Sequence, residues 1–222
     1  GVQTVDLGGV TSIPNNMFKN TLQLTTIDLS NVRTVGSNAF YASSIREADL
    51  SNVTSLGEYA FYNCASLEHV ILNDILTTIG SNTFNGCKML STVDVKDLVS
   101  GTVTTNNEKD PGVVTLPSSL SALGYRSFMN TAIREVTIPR GVTKLSDNSK
   151  DNSTSSNGEV FSGCTQLEKV ILHDAITNIN SKVFMNCGKL ATVQYIDSQG
   201  KLVGKEGELT LPDSVLIIGN YA

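Results

Sequence analysis

Apolar side chains return along this chain in a fixed order. Seven phenylalanines, Phe18, Phe40, Phe61, Phe84, Phe128, Phe161 and Phe184, follow one another at intervals of 22, 21, 23, 44, 33 and 23 residues. Five positions before most of them stands an aliphatic, at Ile13, Val35, Leu56, Ile79, Leu123 and Ile179, often followed by glycine, as at Gly36, Gly57, Gly80 and Gly124. Two positions after each Phe comes a small or turn-forming residue (Asn20, Ala42, Asn63, Gly86, Asn130, Gly163, Asn186), and then Thr21, Ser43, Cys64, Cys87, Thr131, Cys164 or Cys187. An L-x-x-V-x-L run follows, as Leu24, Ile27, Leu29; Ile45, Ala48, Leu50; Leu67, Val70, Leu72; and Leu167, Val170, Leu172. Its alternation of apolar and polar positions is the signature of a half-buried strand. A further aliphatic at Val32, Val53, Ile75, Val142 or Ile176 leads into the next unit.

A unit of about 22 residues cannot bury its own apolar face, whereas a stack of such units can. The pattern predicts an α/β solenoid, a right-handed β/α horseshoe with repeats of about 22–23 residues. Its parallel sheet lies on one face with strands about 4.8 Å apart, and short helical or irregular segments surround a Phe ladder on the other. Ten strand segments are legible, among them residues 5–7, 93–95, 114–116, 193–195 and 209–211. Three stretches interrupt the rhythm. Residues 97–113 and 197–208 each accompany a second strand candidate without a Phe between the two, and read as hairpin-like insertions. Residues 146–158, of which 11 of 13 are Ser, Thr, Asn or Asp, read as a polar surface loop. The last residues, 218–222, match the approach to another Phe, so one solenoid domain over residues 1–222, cut within a repeat, is expected.

Charge and composition remove several functions. A net charge of −5, an isoelectric point near 5.0, no Trp and 6% aromatics offer neither a basic stripe for phosphates nor a stacking platform for bases. Nucleic acid is therefore excluded as a partner. No 18 apolar residues run together, so no membrane insertion is expected within this chain, and the N-terminal GVQTVDLGG has no signal-peptide character. The chain starts at Gly1, which leaves a leader outside it as an expectation.

The four cysteines occupy one repeat position, so their spacing is that of the repeat and not of a metal site. Stacked equivalent side chains keep the coil spacing, wider than the roughly 3.8 Å that a disulfide needs between Cβ atoms. Buried free thiols are the expected state, and a bridge between neighbours the alternative. His69 and His173, the only histidines, read as surface residues with no nucleophile at hand. G-x-S-x-G, P-loop and H-E-x-x-H motifs are absent, which points away from an enzyme, and no cofactor is implied. The outward mid-strand row reads Asp6, Asp28, Asp49, Ile71, Asp94, Thr115, Thr137, Ile171, Gln194 and Thr210, acidic in its first half. Ionised carboxylates about 5 Å apart repel, which tends to raise the pKa of one of them and favours a basic partner or a cation. Arg46, Glu47, Glu68, Arg134, Glu135, Glu168 and Lys169 add a mixed-charge rim. Two readings stand: a solvated face that blocks association, or a concave ligand-binding row of Asp28, Asp49, Ile71 and Asp94 with Arg46, Glu47 and His69, Ile71 being the apolar anchor. Asp147, Ser149, Asp151 and Ser153 alternate like a calcium loop, but Asn152 stands where Gly is required. Asn52 and Asn152 lie in glycosylation sequons.

Stretches such as LGEYAFYNCASLEHVIL, IGSNTFNGCKMLSTVDV and VFSGCTQLEKVIL resemble the BspA-like leucine-rich repeats, whose unit carries the aliphatic-Gly, Ala-Phe, small-Cys and L-x-x-V-x-L elements. The resemblance covers residues 2–222. It departs from the ordinary leucine-rich repeat where Val32, Val53 and Ile75 take the place of an inward Asn, so packing rather than an Asn ladder is expected to hold that loop. The resemblance implies a surface-displayed or secreted, monomeric, non-catalytic module that binds an extracellular protein or peptide, host proteins included. A structural spacer or accessory repeat domain of a larger surface protein, whose active module lies outside this chain, is the alternative.

Overall fold

The computed structural model describes residues 3–104, 111–145 and 158–222. The chain winds as a stack in which most turns contribute to two rows of parallel strands. The first row is formed by β1 (Thr4–Val5), β3 (Thr26–Ile27), β5 (Glu47–Asp49), β7 (His69–Asn73), β9 (Thr92–Lys96), β11 (Val113–Thr115), β13 (Glu135–Thr137), β15 (Lys169–His173) and β17 (Thr192–Ile196). The second is formed by β2 (Ser12–Ile13), β4 (Thr34–Val35), β6 (Ser55–Leu56), β8 (Thr78–Ile79), β12 (Ala122–Leu123), β14 (Lys144–Leu145), β16 (Asn178–Ile179) and β19 (Ile217–Ile218). Two short strands, β10 (Val103–Thr104) and β18 (Leu202–Val203), lie outside both rows.

Among the described residues there is no helix, and the expected α/β horseshoe is corrected to a leucine-rich repeat β-solenoid of about eight turns. The cause lies in the backbone around each Phe. Two positions before it, Asn16, Asn38, Tyr59, Asn82, Arg126, Glu159 and Lys182 have positive φ, and two positions after it so do Asn20, Ala42, Asn63, Gly86, Asn130, Gly163 and Asn186. A left-handed residue terminates a helix, and one at every fourth position leaves no room for a helical ladder. The N–H groups freed in this way bond from coil to coil: Phe18 donates to Ala39 O (2.7 Å), Phe40 to Ala60 O (2.8 Å) and Phe61 to Thr83 O (2.9 Å).

Between these walls the seven Phe rings form one stacked column with centroids 5.1–6.0 Å apart. Phe84 stacks on Phe128 at 5.5 Å, so the 44-residue interval skips no ring. Val70, Leu72, Val136 and Val170 of the first row share this core with Leu24 and Leu67, which stand just ahead of β3 and β7, all at most 1% exposed. Glycine after the second-row strand serves close approach. A Cβ on Gly57 would lie 2.5 Å from Ser37 N, and one on Gly124 would lie 2.5 Å from Ser81 N, whereas Gly80 has no neighbour closer than 3.5 Å.

The interruptions are built alike. The start of β9 lies beside the segment leading into β11, with Gly112 N–H donating to Ser91 O (3.0 Å), while its end pairs antiparallel with β10 through Lys96↔Val103. β17 bridges to Leu209 at Val193 and pairs antiparallel with β18 at Tyr195 and Ile196. The loop after the strand corrects the expectation about asparagine. Val32 and Val53 are buried, but Ile75 is 51% exposed and Leu76 takes the core position. In the coils with five-residue strands a polar residue does the closing. Buried Asn73 donates to Val53 O (2.7 Å) and accepts from Ile75 N–H (3.2 Å). His173 is its counterpart, accepting from Ala175 N–H at Nδ1 (3.2 Å), which leaves Nε2 as donor to Val142 O (3.1 Å). His173 is thus a core residue and not the surface histidine expected. Apart from Gly158, the segment 146–158, with the calcium-like alternation and Asn152, lies outside the described residues.

Candidate functional site

The outward side of the first row is the candidate site. Alternation brings Asp28, Asp49 and Ile71 to it as expected: Asp28 and Asp49 are exposed, and Ile71 is half-buried. Arg46 and Glu47 are exposed at the start of the same face. The carboxylates are not free, however. Asp6 accepts from Gly8 N–H (2.8 Å), Asp28 from Ser30 N–H (2.9 Å) and Asp49 from Ser51 N–H (2.9 Å), each closing the turn that follows its strand. The Ser30 amide and hydroxyl hold the Asp28 carboxyl below the usual carboxylate range. The upward shift expected from repulsion along the row is absent at Asp28, where the hydrogen bonds from Ser30 prevail. Asn52 is likewise engaged, donating to Ser30 O (2.8 Å).

Asp94 departs from the expected exposure. It is 4% exposed, and its Oδ2 lies 2.8 Å from Nε2 of half-buried His69 on the neighbouring strand. Gln194, the row member 100 positions later, is also buried, at 3%. Its Nε2 donates to Gly204 O (3.1 Å) because the segment after β18 arches over β17. From that arch Glu206 reaches Lys169 Nζ (2.5 Å) and accepts from Thr192 Oγ1 (3.2 Å). Around this contact lies an open cleft of about 510 Å³, lined by Arg134, Glu135, Glu168, Lys169, Lys189, Ala191, Thr192 and Glu206. The sequence placed Lys169, Arg134, Glu135 and Glu168 in the mixed-charge rim flanking the outward row. Nothing in the repeat signalled Glu206, which belongs to an insertion.

On the Phe side, the left-handed position two residues before Phe carries an unforeseen ion ladder. Glu159, 3% exposed, is held between Arg126 of one neighbouring coil and Lys182 of the other (3.7 Å). Next to it Tyr41 and Tyr62 stack at 4.9 Å, with Lys19 4.7 Å from the Tyr41 centroid, so both stacking faces of Tyr41 are already occupied. The signal was available in the spacing, since Arg126, Glu159 and Lys182 share one repeat position. The cysteines are free and buried. Each thiol points at the Phe carbonyl of the preceding coil: Cys64 at Phe40 O (2.9 Å), Cys87 at Phe61 O, Cys164 at Phe128 O and Cys187 at Phe161 O (3.1 Å each). Burial pushes Cys164 up to about 11 and Cys187 up to about 12. Among the described residues no group of His, Cys, Asp and Glu could hold a metal ion, and no helix is long and apolar enough to cross a membrane.

No curated protein matches the chain. Solved structures with a similar trace include a leucine rich cell surface protein of Faecalibacterium prausnitzii A2-165 (20% identity, 86% of this chain and 59% of that one, TM-score 0.41). Leucine-rich repeat proteins of Bacteroides ovatus (18% identity, 95% and 66%, TM-score 0.44) and Eubacterium ventriosum (19% identity, 99% and 75%, TM-score 0.43) are similar too. The chain thus spans less than two thirds of the length of the first two. The BspA type leucine rich repeat region matches residues 3–106 and 109–205 in six copies. With nearly the whole sequence accounted for by that unit, and with its aliphatic-Gly, Phe and Cys positions seen as strand, stacked column and thiol row, this chain belongs to the BspA-type leucine-rich repeat family.

Proposed function

We propose that the chain is a non-catalytic protein-binding module of a cell-surface or secreted protein, acting in adhesion or host interaction through the outward face of its first strand row. The observation that carries this reading is the form of that face. It runs along the stack as a surface open over most of its length, with Ile71 and Ile171 half-exposed among the polar and charged residues Asp49, Glu47, His69, Glu135 and Lys169. An apolar centre with a charged rim is how protein interfaces are built, and stacked repeats characteristically offer such extended surfaces. The contact residues proposed are Asp28, Asp49, Ile71, Arg46, Glu47 and His69, with Asp94 acting through His69.

The test is a binding screen of the purified chain, at near-physiological salt, against immobilised extracellular proteins and a glycan panel. Asp28→Asn and Asp49→Asn keep an acceptor for each turn while deleting the charge, and Ile71→Glu disrupts the anchor. A saturable protein hit weakened about tenfold or more by Ile71→Glu, in line with loss of an interface anchor, supports the reading. A hit indifferent to all three changes moves the interface off this face. Engagement of Asp6, Asp28 and Asp49 in turn closure favours the second reading, a structural spacer whose carboxylates serve the fold, and an empty screen selects it.

A further inference from the structure

We propose that Lys169 and Thr192 form a carboxylate seat for an acidic peptide, and that in the free protein this seat is plugged by the chain's own Glu206. The proposal rests on the protein-binding reading above and names a partner chemistry and a regulation within it. Its basis is a contrast between equivalent positions. His69 and Lys169 occupy the same strand position in β7 and β15, and each has an acid as its partner. For His69 the acid is Asp94, part of the adjacent strand, with a side chain only 6% exposed. At the place of Asp94 the second copy carries Gln194, which is uncharged, so Lys169 takes its acid from the arch over β17. The Lys169 side chain is 18% exposed, whereas that of Glu206 is 70% exposed. A largely covered lysine side chain thus has a partner that solvent reaches readily.

The arch is built to present that partner. Glu206 lies between Gly204 (φ +106°) and Gly207 (φ +78°), two positions where the backbone adopts angles that favour glycine. Gly207 N–H donates to Thr192 Oγ1 (2.9 Å), and the same hydroxyl donates to Glu206, so Thr192 orders the seat rather than the arch alone. Beneath the arch, buried Gln194 donates to Gly204 O (3.1 Å), which ties the arch to β17. Arg134 and Lys189 line the same cleft beside Lys169, as do Glu135 and Glu168, with Arg134 3.5 Å from Glu168, so the seat itself is Lys169 and Thr192. The Lys169 ammonium also holds the Glu206 carboxyl below its ordinary range, so the plug is ionised and competes as a carboxylate does. With a net charge of −5 the protein offers no long-range attraction to an acidic peptide, so recognition depends on the contact itself.

The ligand is an extended peptide whose Asp or Glu side chain displaces Glu206, its backbone lying along the cleft. A self-occupied seat lowers apparent affinity by the fraction of time that it is open: an arch closed about nine-tenths of the time costs about tenfold. The experiment measures binding of a fluorescein-labelled hexa-aspartate peptide to the full chain by anisotropy at 0.15 M salt, with sodium acetate and a sulfated oligosaccharide as competitors. The expected result is weak binding by the native chain, about fivefold to tenfold tighter binding by Glu206→Gln, and loss of that gain in Glu206→Gln combined with Lys169→Gln. Equal affinity in native and Glu206→Gln proteins of unchanged melting temperature overturns the plug. Tight binding that survives the double substitution overturns the seat, as does displacement by the oligosaccharide at concentrations far below those of acetate. Loss of this site leaves the wider face untouched: a protein hit sensitive to Ile71→Glu but indifferent to Lys169→Gln would sink the seat and keep the binding module.

Discussion

Residues 61–97 and 161–197 are two copies of one design, exactly in phase at an offset of 100 positions.

 Phe61 and Phe161, Cys64 and Cys164, Phe84 and Phe184, Cys87 and Cys187, and Asp97 and Asp197 correspond one to one. Both copies carry two five-residue strands and end in an antiparallel hairpin. Yet their outward chemistry differs. The first copy pairs its strand-start side chain within the sheet, His69 to Asp94; the second reaches outside it, Lys169 to Glu206. At the inner loop Asn73 corresponds to His173, so one copy closes with an amide and the other with a titratable ring. Stacking dictates where equivalent side chains meet, but it leaves free which chemical groups arrive there.

The strongest test of equivalence is the shared column. Phe61→Ala and Phe161→Ala each remove a ring that is 0% exposed, and each is expected to cost about 3–5 kcal/mol in urea unfolding. A cost confined to one of them would show that the copies do not share a core. Next comes the anion. Asp94→Ala leaves a half-buried imidazole without its acceptor and is expected to cost about 1–3 kcal/mol, whereas Glu206→Ala, at an exposed carboxylate, is expected to leave the unfolding midpoint unchanged. Equal losses would remove the distinction between fixed and removable partners.

A smaller effect separates Asn73 from His173. Burial, with the Arg140 charge adding to it, lowers the His173 pKa against the opposing pull of its hydrogen bond to Val142 and of Asp174. The ring is therefore neutral in the folded state at pH values where the unfolded chain has begun to take up a proton. Stability from this site is fully present above the unfolded value of about 6.5 and is lost as pH falls from there through the depressed folded value. Opening free energies from amide exchange, corrected for the intrinsic pH dependence of exchange, should fall between pH 7 and 5 more around β15 and β16 than around β7 and β8, and His173→Asn should remove the excess. Identical pH profiles in the two copies would contradict the assignment. The smallest difference is expected at the thiols. Buried and, at Cys164 and Cys187, pushed up to about 11 and about 12, they should resist a thiol reagent at pH 8 in both copies until the chain unfolds. Rapid labelling of any of them in the native protein would count against the thiol row.

Much of the fold was legible because its periodic residues have one role each. The Phe spacing revealed the column, and the common position of the cysteines revealed free thiols in place of bridges. The site was legible in part. Alternation put Asp28, Asp49 and Ile71 on the outward face, with Lys169 in the rim flanking it, but it could not show that Asp28 and Asp49 close their own turns or that Asp94 is covered. Glu206 carried no signal, since its position relative to Lys169 depends on how the insertion after β18 returns across the sheet.

What the amino-acid order determined by itself is the phase of the stack: which side chains point inward, and which coil each belongs to. The second strand row was decided only in three dimensions. Pairs such as Ser12–Ile13 and Thr34–Val35 are too short to show a period of two, and they are strands because the coils above and below supply their hydrogen-bond partners. The same holds for charge. A residue's identity is local, but whether its carboxylate is free, capped or paired depends on groups from neighbouring coils and insertions, and those meet it only once the chain has wound.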